Sequence, residues 1–552
     1  VPTLNWIGKD AVVRHHKEVP FRLLEADKKL SHGDPAAGNL IVEGDNLHAL
    51  KALLPRYAGK VKCICIDPPY NTGDKGWIYS DNVNSLEITR WLDSVVGKEG
   101  EDLSRHDKWL CMMYPRLTLL KQFLTEDGVI FVSMDETEIG NLRLLMDEIF
   151  GKNNALGSLV WKRRSSSAMS GTPLSIDHEY VLTYARNSER IILHGLEKGI
   201  ESYPLVDERG HFASTDLSIG MGKAARPNQF FDITNPRTGR NYSANPERVW
   251  RFFPDTMEQV IADGLIIWPD DYPDRKMERP RYKTYFDPNT DKPKPVSSWI
   301  ETTANLKGAE EDGDEWGVSI LSTGMNQEGG RILQDIFGTK SFDYPKPVSL
   351  FNSLVRMATK DEDFILDSFG GSGTTAHAVL KQNAADGGKR KFILVEMEPG
   401  ICRDITAERV RRVAGGYTNA KGEAVEGLGG GFQYCRLSKE PLFDATGAVR
   451  DDVRFAQLAE FVWFAETGTG FGRKANSPLL GVHEGVGVYL LYNGILKDKS
   501  ADGGNVLTAP VLAMLPPHDG PKVIYAAASR LGAPRLQRDR IVFKQTPYAL
   551  DL

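Results

Sequence analysis

The sequence predicts an α/β fold built on a mostly parallel sheet. Three observations predict it. Short β-rich runs alternate with helical spacing from Leu40 to Phe150. The same alternation returns after Pro347. Two of the strands end in an aspartate followed by turn chemistry, at Asp67-Pro68-Pro69-Tyr70 and at Asp367-Ser368-Phe369-Gly370. Strand–helix alternation of this kind places helices over a parallel sheet.

In chain order, the stretch up to about Pro35 is polar and mixed, with little periodicity. Leu40-Ile41-Val42 reads as a strand ending at Gly44-Asp45-Asn46, and Leu47, Leu50, Leu53 and Leu54 follow at helical spacing. Val61 to Ile66 alternates and is rich in β-formers. It stops at Pro68-Pro69, because two prolines remove ladder donors. Trp109 to Leu124 is helical, Val129 to Ser133 is a strand, and Ile139 to Phe150 is helical again.

The character changes near Trp161. Residues 165–343 are rich in Pro, Gly, Asn, Arg and aromatics. Lys162-Arg163-Arg164 lies just before this region, and within it basic residues interleave with Tyr282, Tyr285 and Phe286. This reads as an inserted recognition region. The α/β pattern then resumes with a helix over Leu350 to Met357, a strand over Phe364 to Leu366, a helix over Ala376 to Leu380, a strand over Phe392 to Val395 ending at Glu396, and a basic helix over Arg403 to Val413. Gly415-Gly416 and Gly427 to Gly431 mark a linker. A third unit follows, with strands expected at Val486 to Leu491, Lys522 to Tyr525 and Arg540 to Phe543. The expected division is therefore 1–164 and 344–415 as two halves of one core, 165–343 as the insertion, and 432–552 as a C-terminal α/β extension.

At 552 residues the chain suits about three or four structural units. Hydrophobic residues make up 41% and charged residues 26%, which excludes disordered and collagen-like classes. Lys and Arg total 68 against 74 Asp and Glu, a net charge of −6. That argues against a small basic nucleic-acid-coating protein. It leaves a local basic footprint open. Five scattered cysteines exclude a disulfide framework, and Cys63-Ile-Cys65 reads as buried strand. No C-x-x-C pair and no metal-ligand cluster stands out. No apolar run approaches membrane-spanning length and no signal-like start is present, so a cytoplasmic protein without a membrane anchor is expected. The chain opens on Val1 instead of Met, which points to processing or trimming.

Asp67-Pro68-Pro69-Tyr70 carries the first chemistry. The Asp67 side chain and the Pro68 carbonyl are two acceptors, stiffened by proline, beside the flat face of Tyr70. That set suits an exocyclic amino group, whose two N–H donors it can grip. The plain alternative is a Pro-Pro turn carrying a surface aspartate. The second element is Asp367 to Thr375, a strand, a glycine-rich turn and a helix start. Its glycines allow close backbone approach, and the helix N-terminus favours an anion. Glu396 closes the next strand, where an acid can hold ribose hydroxyls. No Gly-x-x-x-x-Gly-Lys-Ser/Thr run is present, which disfavours an NTPase.

Together these motifs resemble the amino-group DNA methyltransferases that use S-adenosylmethionine. Their order, with Asp-Pro-Pro-Tyr first, the recognition region next and the glycine-rich loop last, resembles the β class. The spans Phe342 to Pro347 and Asp367 to Val379 are similar to the Mod subunits of type III restriction–modification systems and their solitary relatives, as are Phe392 to Glu398 and Arg540 to Tyr548. Ser368-Phe369-Gly370-Gly371 departs slightly from the Phe-Phe-Ala-Gly common in that group.

The resemblance implies a Rossmann-like S-adenosylmethionine-dependent methyltransferase core, with residues 165–343 setting the DNA target. It implies that Asp67, Pro68, Pro69 and Tyr70 hold and stack a flipped base. It implies that Asp367, Phe369, Gly371, Ser372, Gly373, Thr374 and Glu396 bind the cofactor, with Asp45 and Asn46 near its adenine and Lys346 near its methionine end. DNA contacts are expected from Lys162, Arg163, Arg164, Arg275, Lys276, Arg279, Arg281 and Lys283. The expected partners are double-stranded DNA, a second copy in a homodimer, and a restriction subunit. Asp at position 67 leans toward adenine N6. Cytosine N4 methylation, a non-catalytic DNA-binding subunit and an RNA substrate remain alternatives at this point.

Overall fold

The computed structural model describes residues 3–34, 37–72, 105–165, 173–194, 203–271, 277–286, 295–302, 321–444, 446–497 and 504–546. The chain divides into two compact units, Val1–Ile192 with Gly324–Leu552, and Leu193–Thr323.

The larger unit is organised on nine strands: β1 (Arg22–His32), β2 (Leu40–Glu43), β3 (Val61–Ile66), β4 (Leu124–Met134), β5 (Ala155–Lys162), β6 (His178–Ala185), β7 (Phe364–Asp367), β8 (Lys391–Glu396) and β9 (Phe432–Pro441). Their lateral order is β1-β9-β2-β8-β7-β3-β4-β6-β5. The six from β9 to β4 are mutually parallel. The outer pairings of β1 with β9, β4 with β6 and β6 with β5 are antiparallel.

The central strands read as unbroken apolar runs because helices cover both faces. Cys63, Ile64, Ile66, Ile365, Leu366, Ile393 and Leu394 are all buried. Burying each large aliphatic side chain contributes roughly 1.5–3 kcal/mol. The covering helices include α1 (Asn46–Tyr57), α2 (Arg105–Phe123), α3 (Ile139–Met146), α4 (Asn326–Phe337), α5 (Val348–Ala358), α6 (Thr374–Asp386) and α7 (Glu408–Gly415). All five cysteines are buried thiols. No helix among the described residues is long and apolar enough to cross a membrane.

The strand order decides where the chemistry sits. β3 and β7 come from opposite halves of the sequence, yet they are direct neighbours, with Ile64 opposite Leu366. Asp67 and Asp367 therefore emerge side by side at the carboxyl edge of the sheet, where open α/β sheets bind ligands.

Three expectations change. The polar N-terminal stretch contains β1, whose side chains are only half-buried or exposed, so it lacks the apolar alternation that marks a strand. Phe432–Pro441, expected to open the third unit, instead inserts between β1 and β2. The insertion is narrower than 165–343, because β6 pairs with β4 and β5 inside the main sheet and α4 lies in the larger unit.

Residues Leu479–His483, Val486–Leu490, Lys522–Ala526 and Ile541–Gln545 form a four-stranded sheet, the last three near the expected positions and the first not expected. Its residues Leu480, Val488 and Val523 join the core of the larger unit, together with Phe461 and Val462 of the helix α8 (Phe455–Thr467). The smaller unit has its own core of Leu217, Ile233, Trp250, Met257, Ile266 and Trp268.

Candidate active site

A cavity of about 410 Å³ opens at the carboxyl ends of β3, β4 and β7. It is lined by Asp67, Pro68, Pro69, Tyr70, Lys346, Asp367, Phe369, Gly371, Ser372 and Thr374, so both aspartate turns share one space. Asp135, Glu179, Phe342 and the pair Arg163 and Arg164 complete much of the wall.

The turn after β3 is fixed from several sides. The indole N–H of Trp109 donates to the Pro69 carbonyl at 2.7 Å. Asn71 follows in the left-handed region at φ +61° and is fully buried. Its amide donates to the Arg105 carbonyl at 3.2 Å and to the carboxylate of Glu138, which is itself fully buried. Asn tolerates this backbone conformation better than most residues.

The hydroxyl end of Tyr70 is clamped by charge. It donates to Glu179 at 3.0 Å and accepts from the Lys346 ammonium at 2.8 Å. Lys346 also lies 3.0 Å from Glu179 and 3.2 Å from Asp67. Arg163 pairs with the other oxygen of Glu179 at 3.2 Å. Burial alone would lower the Lys346 pKa, but the two carboxylates outweigh it and hold it above its ordinary value. Glu179 is held below its ordinary value, because Lys346 and Arg163 overcome its burial. Asp67 is pushed up by burial, with Lys346 opposing.

The glycine-rich loop is equally determined. Asp367 accepts from the Phe369 N–H at 2.9 Å and from the Thr375 hydroxyl at 2.5 Å. Burial raises its pKa to about 7 despite those donors. Gly371 and Gly373 occupy the left-handed region at φ +48° and +79°. Gly370 packs so closely that an added Cβ would meet the Val395 carbonyl oxygen at 3.1 Å. Glu396 accepts from the Gly371 N–H at 2.8 Å and from the Glu398 N–H at 2.9 Å.

Asp45, Asn46, Gly373 and Glu396 are not part of the cavity wall. Asp45 caps α1, accepting from Leu47 and His48 N–H, and pairs with the buried Arg116 at 3.1 Å. Asn46 donates to the Ser368 carbonyl at 3.2 Å and accepts from Arg116, so it supports the glycine-rich loop from behind.

Among the expected basic residues, Lys162 is half-buried at the end of β5. Arg164 lies 3.6 Å from Asp177. In the smaller unit Lys283 pairs with Asp207 at 2.8 Å, Arg281 donates to Ser214, and Arg279 is exposed. Arg275 and Lys276 lie outside the described residues. Arg163, Arg164 and Lys283 each lie within ion-pair distance of a carboxylate, which compensates part of their charge.

Sequence reasoning missed Glu179, Arg116 and Arg409. Glu179 sits in the strand His178–Ala185, where it is the one acidic residue among apolar and aromatic neighbours. A charge in such a run was the available signal, since acids are almost never fully buried without a partner.

The chain is 30% identical to the StyLTI Mod subunit, a type III restriction–modification enzyme subunit of Salmonella typhimurium, over 74% of this chain and 62% of that one. It is 30% identical to the EcoPI Mod subunit of Escherichia phage P1, over 72% and 64%. It is 29% identical to the type II methyltransferase M.KpnI of Klebsiella pneumoniae, over 72% and 93%. The chain thus spans less than two thirds of the length of the two Mod subunits. The family model described as DNA methylase matches residues 61–408, more than half of the chain and both aspartate turns, and the chain belongs to this N6/N4 DNA methylase family.

Proposed function

We propose that the protein is a site-specific DNA methyltransferase acting on the N6 amino group of an adenine extruded from the duplex, with S-adenosylmethionine as methyl donor. The observation that carries this reading is the single cavity shared by the Asp67 turn and the Asp367 loop. The residues present fit that cofactor. Gly371 leaves room for close backbone approach, and Asp367, Ser372 and Thr374 supply polar groups on the wall. When bound, S-adenosylmethionine supplies an electrophilic methyl group on a sulfonium.

The chain's own residues do the rest. The Asp67 carboxylate and the Pro68 carbonyl accept the two amino N–H groups, which localises the nitrogen lone pair and aims it. Positioning of this kind supplies much of the rate. Asp67 stabilises the positive charge that develops on nitrogen as the new N–C bond forms and the methyl–sulfur bond breaks with its electron pair going to sulfur, and the surplus proton leaves past its carboxylate to water. Lys346 and Glu179 hold Tyr70 upright beside the base. Extruding the base costs a few kcal/mol, least at weak steps. Arg163 and Arg164 at the cavity wall offer contacts to the backbone flanking it.

Asp at position 67, by resemblance, favours adenine over cytosine. Nucleoside mass spectrometry of duplex DNA incubated with the chain and S-adenosylmethionine tests the reading directly. N6-methyladenine is expected. N4-methylcytosine alone would move the target, and no methylated nucleoside across diverse DNA would favour a non-catalytic subunit. An RNA substrate is tested by RNA competition against duplex DNA.

The wider setting is part of the same proposal: a cytoplasmic homodimer on double-stranded DNA, able to join a restriction subunit. The similarity to Mod subunits supports it. A single-protomer mass by light scattering at micromolar concentration would contradict the dimer.

A further inference from the structure

Arg409, on α7, is fully buried among the largest such side chains of the protein. Among the described residues no carboxylate pairs with it. The adjacent Glu408 is taken by Arg411 and Arg412. A buried charge without a counter-charge is strongly unfavourable. Burial accordingly drags its pKa down to about 9.

Its hydrogen bonds run toward the glycine-rich loop and the first turn of α6. One terminal nitrogen donates to the Ser372 carbonyl at 3.0 Å, the Ser372 hydroxyl at 2.9 Å and the Thr374 hydroxyl at 3.0 Å. The other donates to Nδ1 of His377 at 3.3 Å, and burial pushes His377 well below its usual range, so it stays a neutral acceptor. Among the described residues the Nε atom has no partner, and it is buried.

Ser372 and Thr374 both line the cavity. Since each hydroxyl oxygen accepts from Arg409, each is left to donate its own proton. Thr374 has the Lys346 carbonyl at 3.4 Å, a long contact, and the two hydroxyls lie 3.2 Å apart. α6 begins at Thr374 with no side chain capping it, so its first amides add positive field at the same point. The arrangement is a positive, donor-rich corner at the cavity wall.

We infer that Arg409 is a positioning residue for the anionic end of the cofactor: through Ser372 and Thr374 it directs donors and positive charge at the carboxylate of the methionine portion of S-adenosylmethionine. This rests on the cofactor reading above. Charge-assisted donors of this kind are roughly twice as strong as neutral ones.

Isothermal titration of the full chain with S-adenosylmethionine, and with its decarboxylated analogue that keeps the sulfonium, tests it. In Arg409→Gln, affinity for S-adenosylmethionine is expected to fall by at least about tenfold, while the decarboxylated analogue changes by less than about twofold. Arg409→Lys is expected to keep most of the affinity. Equal losses for both ligands would make Arg409 a mere support of the loop and overturn the inference, as would no loss for either. If Arg409→Gln does not fold, Ser372→Ala carries the same comparison with the same expected split. Failure of the unaltered chain to bind either ligand overturns the cofactor reading itself, which is a different result from an equal loss in the variant.

Discussion

The ammonium of Lys346 stands 3.2 Å from Oδ1 of Asp67, beside the edge at which β3 and β7 are neighbours. Lys346 follows the insertion and Asp67 precedes it. With Glu179 and Arg163 they form an alternating set of charges around the Tyr70 hydroxyl. Such a set fixes geometry more than it adds stability, because desolvation offsets much of the attraction.

Glu179→Gln removes one carboxylate from that set while keeping its shape. Lys346 and Tyr70 then lose their shared anchor. The turnover number is expected to fall on the order of ten- to a hundredfold, as for a small misplacement of reacting groups. Affinity for S-adenosylmethionine, read by titration, is expected to hold. Unchanged turnover with lost cofactor binding would assign Glu179 to the wrong half of the site.

Asp367 gives the fold a pH dependence. Its folded pKa of about 7 lies above the ordinary carboxyl value, so the folded state favours the protonated form. The associated stability is fully present below about pH 4 and is lost as pH rises to about 7, by at most about 4 kcal/mol. Unfolding of Asp367→Asn, followed by urea titration between pH 5 and 8, is expected to lack that part of the decline. Parallel curves for the two proteins would show that Asp367 does not carry it.

Gly373 precedes α6 at φ +79°, and an added Cβ would meet the Thr406 carbonyl oxygen at 3.3 Å. Gly373→Ala is expected to cost about 1–2 kcal/mol of unfolding free energy from the left-handed backbone alone. It is also expected to weaken cofactor binding by shifting Ser372 and Thr374. A chemical-denaturation midpoint equal to that of the unaltered chain would contradict the strain argument.

Asp45 caps α1 and neutralises the buried Arg116. Asp45→Ala is therefore expected to destabilise the protein by about 1–3 kcal/mol, while Asp45→Asn retains the cap and loses less. If Asp45→Ala instead lowered cofactor affinity with stability intact, a direct cofactor contact would replace this structural role.

Much of the core could be read directly from the residues. Val61 to Ile66 and Phe392 to Val395 are apolar runs bounded by turn chemistry, and they became β3 and β8 as expected. Asp67 and Asp367 declared themselves because each ends such a run. β1 was illegible for the opposite reason, since its exposed edge carries Glu25, Lys28 and Lys29 instead of an apolar face. β9 was read as the start of a new unit, because the glycines before it resemble a linker and its partners lie almost 400 positions away in sequence. Arg116 pairs with Asp45 and Arg409 donates to Ser372 and Thr374, partners remote in sequence that no local pattern announces, whereas the lone acid Glu179 in an apolar strand was a local signal.

In the proposed mechanism the Asp67 turn performs the transfer while the Asp367 loop binds the donor. The most direct measurement follows labelled methyl transfer from S-adenosylmethionine to duplex DNA by the unaltered chain and by Asp67→Ala, with cofactor affinity titrated on the same preparations. Transfer is expected to fall by at least about a hundredfold in Asp67→Ala while the dissociation constant for S-adenosylmethionine stays the same. Full transfer by Asp67→Ala would contradict the account.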